Sequence, residues 1–333
     1  MCETCDGLRA ASVIGEKQSG TLTEKGMIVS THASSTSATE PVYFYSDGLK
    51  LAGQFTRAAG AAAGARSPTI VCVHGSSGRK SIYMPAYIRD LSAAGYNTLD
   101  FYHRGNGDSE GIRLLNKPWD QVADILSALI YVRQRPEVDV ERVGVYGTSY
   151  GGSTAMVAVA HDPGVRCAVS VGSPADVGRS WRSKRTYSDL LDWEDLLKTD
   201  RIERVLTGKS KRVSYGELLP SGRAEVDSID TMYKTSEGYP EGYPIEIWDH
   251  NVTFVPERYV DRISPRPVLF IHTERDTMVP LLEGQSFYAH AKEPKKLIVL
   301  PGVNHVDVYE PRNPAVFKTV VGHMIAFFNE HLR

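Results

Sequence analysis

A serine between two glycines gives the clearest indication of chemistry in this sequence. In residues 142–152 a short apolar stretch leads into Gly147-Thr-Ser149-Tyr-Gly151 and then into a segment of helical period. A serine on a sharp turn between a strand and a helix needs neighbours without a Cβ atom, because other backbone passes close to them. The pattern predicts that Ser149 is a nucleophile.

A serine hydroxyl needs a base, and the base needs a carboxylate that fixes its tautomer. With a nucleophile on such a turn, the acid and then the histidine follow it along the chain. Asp276 lies in the turn after the apolar run 267–272 and is the predicted acid, with Glu274 as the alternative. His305 lies just before the last helical segment and is the predicted base.

The tetrahedral intermediate of acyl transfer carries an oxyanion that is stabilised by backbone N–H donors. One donor comes from the residue after the nucleophile, which is Tyr150 here. The other comes from a loop after an earlier strand, and that loop follows the run Val71-Cys-Val-His-Gly75. We predict that Ser76 supplies it, because the adjacent glycine allows a tight bend.

Two other motifs carry no cofactor or metal in our interpretation. The glycine-rich turn 100–111 lacks both the Gly-Lys-Ser/Thr of a phosphate loop and the spacing of a dinucleotide fingerprint, so we predict a packed turn in which Arg104 pairs internally. Cys2 and Cys5 have no second Cys/His pair at zinc spacing. We therefore predict that the protein uses no cofactor and no metal.

The elements that must position these residues follow a regular alternation of short apolar runs with segments of helical period, which is typical of a parallel sheet with crossover helices. The runs are 69–74, 97–102, 142–148, 166–171, 267–272 and 295–300, and the helical segments are 86–95, 121–133, 153–161, 281–291 and 313–332. Two β-rich runs within 42–55 flank Asp47-Gly48 and predict a hairpin. The predicted fold class is α/β, with a doubly wound, mostly parallel sheet.

Residues 174–263 interrupt this alternation and are too many for a structureless loop. Their apolar residues, among them Trp181 and Trp193, predict two helices, and the aromatic residues Tyr233, Tyr239, Tyr243 and Trp248 follow. We predict an inserted helical cap over the strand ends, where ligands bind in open α/β sheets. The predicted organisation is a flexible N-terminal arm 1–39, a core 40–173 and 264–333, and the cap 174–263.

Composition excludes several classes of partner. A net charge of −2 and a pI near 6.6 give no field that would attract nucleic acid. No stretch of about 18 apolar residues and no signal peptide is seen, so we predict no membrane partner and a cytoplasmic location. Four scattered cysteines fit a reducing compartment. The sequence leaves open whether the chain forms a homodimer.

Five motifs occur in an order that resembles the α/β-hydrolase superfamily: His74-Gly75-Ser-Ser-Gly78, Arg104-Gly105-x-Gly107-x-Ser109, Gly147-x-Ser149-x-Gly151-Gly152, Glu274-x-Asp276-x-x-Val279-Pro280 and Pro301-Gly-x-x-His305. The similarity extends over residues 41–332 and is nearest to the dienelactone-hydrolase and X-Pro-peptidase-like branch, which includes fungal polyketide transferases. It implies an α/β-hydrolase fold and an esterase, thioesterase, peptidase or acyl-transfer activity. Ser76 departs from the bulky residue that relatives often carry there.

The predicted function is that of a serine hydrolase, which cleaves a small-molecule carboxylic ester or thioester through an acyl-enzyme on Ser149. An acyltransferase that passes the acyl group to an alcohol or amine is the main alternative, because the same acyl-enzyme serves both reactions. A peptidase or amidase and a non-catalytic receptor are the remaining alternatives. The serine nucleophile excludes chemistry that requires a carboxylate at position 149.

Overall fold

The computed structural model describes residues 38–76, 78, 80–220 and 242–333. Several features discussed above lie outside the described residues: the predicted arm up to residue 37, with Cys2 and Cys5, and the aromatic residues Tyr233 and Tyr239.

Eight strands form one mixed sheet, and two short strands form a separate pair. In chain order the strands are β1 (Thr39–Ser46), β2 (Leu49–Thr56), β3 (Ser67–Val73), β4 (Asn97–Phe101), β5 (Val138–Thr148), β6 (Cys167–Val171), β7 (Arg212–Val213), β8 (Tyr243–Pro244), β9 (Val268–Thr273) and β10 (Lys295–Leu300). The large sheet has the order β1-β2-β4-β3-β5-β6-β9-β10, and β7 pairs with β8. This order confirms the predicted α/β fold class.

The direction of the strands divides the sheet into two parts. β1 and β2 form the predicted hairpin, whose turn residues Asp47 and Gly48 both have positive φ, as a two-residue hairpin turn requires. β2 is antiparallel to β4 as well. The remaining six strands of the large sheet, in the order β4-β3-β5-β6-β9-β10, are parallel to one another. Because the parallel strands are covered on both faces, β4 and β6 are buried along their whole length, and this includes polar residues such as Asn97 and Ser170.

Helices follow the strands and fill the insertion. They are α1 (Lys80–Ala93), α2 (Pro118–Arg133), α3 (Tyr150–His161), α4 (Val177–Arg182), α5 (Tyr187–Thr207), α6 (Tyr215–Leu218), α7 (Ile247–Asn251), α8 (Leu281–His290) and α9 (Pro314–Leu332), with short 3-10 helices at Pro256–Arg258, Val260–Ile263 and His305–Val308. α1 begins at Lys80 and not at residue 86, and it contains Pro85. A proline inside a helix removes one backbone donor, so the sequence pattern alone favours the later start.

The two helices predicted in the insertion correspond to α4 and α5. α5 begins at a capping box formed by Thr186 and Asp189. The rings of Trp181 and Trp193 both pack on Trp248, at centroid distances of 5.4 and 5.3 Å. All three tryptophans belong to the hydrophobic core that the insertion shares with the large sheet.

A buried carboxylate ties the insertion to the rest of the fold. Glu283 on α8 accepts hydrogen bonds from the backbone N–H groups of Ala175 and Asp176, each at 2.9 Å, and from the guanidinium of Arg179 at 2.8 Å. The start of the insertion is thus fixed to the helix that follows the turn containing Asp276. Within the described residues, no helix is both long enough and apolar enough to span a bilayer.

Candidate active site

Ser149 lies on the turn between β5 and α3 in a backbone conformation that is rare for a residue with a side chain. Its φ is 52° and its ψ is −133°, and its N–H donates to the carbonyl of Val171 at the end of β6, at 2.7 Å. The turn also passes very close to the end of β3, since a Cβ atom on Gly151 would lie 2.1 Å from the carbonyl oxygen of His74. The local sequence therefore forces the hydroxyl of Ser149 to the carboxyl edge of the sheet.

His305 connects Ser149 to Asp276 through its two ring nitrogens. His305 Nε2 is 3.0 Å from Ser149 Oγ, and His305 Nδ1 is 2.7 Å from Asp276 Oδ2. With its proton on Nδ1, the imidazole donates to the carboxylate and can accept the proton of the serine. Three residues that are far apart in the chain thus form one continuous line of hydrogen bonds.

Asp276 is held as a carboxylate by several donors. Its Oδ1 accepts the backbone N–H groups of Met278 and Val279 at 2.9 and 2.6 Å, and its Oδ2 accepts the hydroxyl of Thr273 at 2.8 Å. Burial alone would raise the pKa of this carboxyl, but the facing imidazole of His305 and these donors hold the pKa below its usual value. The group therefore stays negatively charged at neutral pH.

The two other acidic residues near the base face away from it. Glu274 is exposed and accepts the backbone N–H of Gly302 at 2.7 Å. Asp307 accepts the backbone N–H of Asn304 at 3.0 Å and so caps the short 3-10 helix that begins at His305. Of the three carboxylates, Asp276 is the one that contacts the imidazole.

Ser76 lies in the loop after β3, and Tyr150, directly after Ser149, is the first residue of α3. In the described part of the chain, neither backbone N–H donates to a protein acceptor. A backbone N–H group without a protein acceptor is able to donate to a bound ligand.

A buried network holds the start of the loop after β3. His74 Nδ1 donates to the carbonyl of Gly75 at 2.8 Å, and His74 Nε2 accepts the backbone N–H of His103 at 3.3 Å. Burial and, to a smaller extent, the nearby His103 lower the pKa of His74 to about 3, so this imidazole is neutral. Arg104 pairs with Asp124 at 2.6 Å, which is the internal pairing that the sequence predicted.

Sequence reasoning missed the tyrosines that lie near Ser149. A cavity of about 30 Å³ beside Ser149 and His305 is lined by Tyr83, Tyr215 and Tyr309, together with Met278. The Tyr309 hydroxyl is 2.9 Å from Thr148 Oγ1, and its ring packs on that of Tyr83 at 4.2 Å. Tyr309 follows His305 closely in sequence, which is a usable signal, whereas nothing in the sequence around Tyr215 indicates that it reaches the site. Within the described residues, no three His, Cys, Asp or Glu side chains are grouped so that they could hold a metal ion.

Comparison with known proteins gives relatives that cover most of this chain. The model of the alpha/beta hydrolase family matches residues 70–319. The thiohydrolase aneE of Aspergillus aculeatus is 35% identical over 279 residues, which cover 80% of this chain and 83% of that protein. Protein PA2218 of Pseudomonas aeruginosa is 30% identical over 290 residues, which cover 81% of this chain and 74% of that protein.

Solved structures agree with these matches. The crystal structure of PA2218 is similar with a TM-score of 0.75 at 26% identity, over 90% of this chain and 95% of that one. The alpha/beta hydrolase GrgF of Penicillium sp. sh18 has a TM-score of 0.76 at 20% identity, over 89% of this chain and 99% of that one, and this likeness concerns the fold. The resemblance seen in the five sequence motifs is thereby confirmed, and the chain belongs to the alpha/beta hydrolase family.

Proposed function

We propose that the protein is a serine hydrolase that cleaves a small-molecule carboxylic ester or thioester through an acyl-enzyme on Ser149. The observation that carries this proposal is the line of hydrogen bonds from Ser149 Oγ through His305 to Asp276, with distances of 3.0 and 2.7 Å. A hydroxyl, an imidazole and a buried carboxylate in this arrangement are what nucleophilic acyl transfer requires.

The reaction divides into two similar halves. His305 Nε2 takes the proton of Ser149 as its Oγ attacks the carbonyl carbon, and the negative oxygen is bound by the N–H groups of Ser76 and Tyr150. The imidazolium, stabilised by Asp276, then returns the proton to the leaving alkoxide or thiolate, and the acyl group stays on Ser149. Water, activated by His305 in the same way, releases the acid.

Two observations support a thioester with an apolar or aromatic acyl group as the substrate. The Aspergillus relative, which is 35% identical, is a thiohydrolase. The described residues that line the small cavity beside Ser149 include three tyrosines and Met278, whose side chains can pack against an apolar or planar group next to the reacting carbonyl.

Labelling and turnover of Ser149→Ala test this proposal. Wild-type protein should react with a fluorophosphonate probe and should hydrolyse at least one member of a panel of p-nitrophenyl esters and N-acetylcysteamine thioesters of graded chain length. Ser149→Ala should lose the label and should lower kcat by at least about 10⁴-fold, because the nucleophile is gone. Ser127→Ala on α2, whose hydroxyl contacts Ser46, is the matched control and should keep both properties.

Retention of the label by Ser149→Ala would refute the proposal. Product analysis separates hydrolysis from acyl transfer: with an alcohol or amine acceptor at saturation, a hydrolase still yields the free acid as its main product. A dominant acyl-acceptor product would instead assign the acyl-enzyme to transfer.

A further inference from the structure

A phenol from the insertion contacts the loop that carries the predicted oxyanion donor. Tyr215 Oη, on α6, is 3.1 Å from Ser76 Oγ, although the two residues are 139 positions apart. Tyr215 is 3% exposed, and both residues line the cavity beside Ser149 and His305. This pair of hydroxyls therefore belongs to the space in which the acyl group reacts.

The position of Tyr215 is fixed by the elements around it. α6 begins at a capping box, in which Ser214 Oγ accepts the N–H of Glu217 at 3.1 Å and the Glu217 carboxylate accepts the N–H of Ser214 at 2.7 Å. Arg185 donates to the carbonyl of Leu218 at 3.1 Å at the other end of this helix. A short helix held at both ends presents its first side chain in one orientation.

The backbone of Ser76 is held independently of Tyr215. Asn116 Nδ2 donates to the carbonyl of Ser76 at 2.9 Å, and Asn251 on α7 donates to the carbonyl of Asn116 at 3.0 Å. The contact with Tyr215 is therefore not required to keep the loop in place. What it determines is the direction of the Ser76 hydroxyl.

The chemistry of the two hydroxyls assigns the donor. A phenol is a stronger acid than an aliphatic alcohol, so Tyr215 donates to Ser76 Oγ and the proton of Ser76 is left to point elsewhere. The Ser76 hydroxyl can point into the cavity that it shares with Ser149. A carbonyl oxygen that binds there becomes negative when Ser149 attacks. Serine and tyrosine hydroxyls are among the groups that stabilise such an oxyanion.

We propose that the Ser76 hydroxyl is a third donor to the oxyanion, beside the two backbone N–H groups, and that Tyr215 is the positioning residue that directs its proton. This inference rests on the proposed function, because it concerns the transition state of the reaction at Ser149. Through the hydrogen bond from Tyr215 to Ser76, the insertion would take part in the reaction.

Four variants test the proposal: Ser76→Ala, Ser76→Thr, Tyr215→Phe and the double variant Ser76→Ala/Tyr215→Phe. Ser76→Ala keeps the backbone N–H and should lower kcat by about 10- to 100-fold with little change in KM, since the hydroxyl acts in the transition state. It should weaken a trifluoromethyl ketone inhibitor, which forms a tetrahedral adduct on Ser149, by the same factor. Ser76→Thr retains a hydroxyl and should restore kcat.

Tyr215→Phe should lower kcat by about 3- to 10-fold, and it should have no further effect when Ser76 is already alanine, because it acts through that hydroxyl. Tyr96→Phe is the matched control: it removes another buried phenol, bonded to Asn329 at 2.7 Å, and should change stability but not kcat. Fluorophosphonate labelling and thermal unfolding establish that each variant is folded with a reactive Ser149.

The outcomes separate this inference from the proposed function. A wild-type kcat in Ser76→Ala, with turnover still dependent on Ser149, would overturn the third donor and leave the hydrolase intact. Multiplicative effects of Ser76→Ala and Tyr215→Phe would overturn the positioning role of Tyr215. Undiminished turnover in Ser149→Ala would overturn both proposals.

Discussion

At the scale of single residues, the proposed acid Asp276 differs from the neighbouring carboxylate in its environment and not in its chemistry. Asp276 and Glu274 lie in the same turn, yet one is buried against His305 and the other is exposed to solvent. The buried carboxylate accepts two backbone N–H groups and one hydroxyl, so its orientation toward the imidazole is determined on all sides. This asymmetry makes the two carboxylates experimentally separable.

Asp276→Asn should lower kcat by about 10⁴-fold, because an amide at this position favours the wrong tautomer of His305. Glu274→Gln should stay within about 2-fold of wild type, since its side chain is exposed and accepts a hydrogen bond from the backbone of Gly302, away from His305. Steady-state kinetics of both variants on the best ester or thioester of the panel measure the difference. The reverse result, with Glu274→Gln inactive and Asp276→Asn active, would reassign the acid to position 274.

At the scale of elements, the turn between β5 and α3 is limited by backbone packing. A Cβ atom on Gly151 would lie 2.1 Å from the carbonyl oxygen of His74 and 2.8 Å from that of Val73. Neither atom is the end of a flexible side chain, so the strand or the turn would have to move. Since the two predicted oxyanion donors lie on these two segments, such a movement would also change the distance between them.

Gly151→Ala should destabilise the protein by about 1–3 kcal/mol through overpacking, and it should also lower kcat. Gly322→Ala on α9 is the matched control, because an added Cβ there meets no atom within 4 Å. Replacing this glycine in the interior of a helix by alanine should raise the free energy of unfolding by about 0.5–1 kcal/mol. Urea unfolding of the two variants gives both free energies, and equal effects would show that the close approach at position 151 relaxes without cost.

Some of the strands and helices of this fold could be predicted from the sequence, and others could not. β6 and β9 were predictable because their apolar runs are buried along their whole length, and they differ from the predicted runs by one residue at their ends. β5 begins at Val138 and not at the predicted residue 142. The prediction missed this part because residues 139–142 include three charged residues and are exposed or half-buried, so they lack the pattern of a buried strand. Tyr215 was not predictable: it lies on a four-residue helix without periodicity, and its approach to Ser76 depends on how the insertion folds.

At the scale of the whole molecule, the parallel sheet gathers distant residues at one edge. Ser76, Ser149, Asp276 and His305 follow β3, β5, β9 and β10, and the carboxyl ends of parallel strands meet on the same side. Beneath this edge the protein buries ionisable groups, among them the ion pair of Lys80 with Asp100 at 2.7 Å and the neutral imidazole of His74. The stability of the site is therefore coupled to pH through groups that take no part in the reaction.

His74 should make the protein less stable as the pH falls below neutrality. The unfolded chain protonates this imidazole below about pH 6.5, whereas burial keeps its pKa in the folded protein at about 3. Between these values the unfolded state binds the extra proton, so the free energy of unfolding decreases as the pH is lowered. From pH 7 to pH 5 the loss due to His74 should be about 2 kcal/mol.

Urea unfolding of wild type and His74→Gln at both pH values measures this effect. The variant should be less stable at pH 7, because it loses the bonds to Gly75 and His103, but its decrease between pH 7 and pH 5 should be smaller by about 2 kcal/mol. His272, whose pKa burial also lowers, should account for part of the decrease that remains. If His74→Gln retained the full wild-type decrease, the acid sensitivity would have to come from other buried groups, and the loop after β3 would tolerate a charged His74.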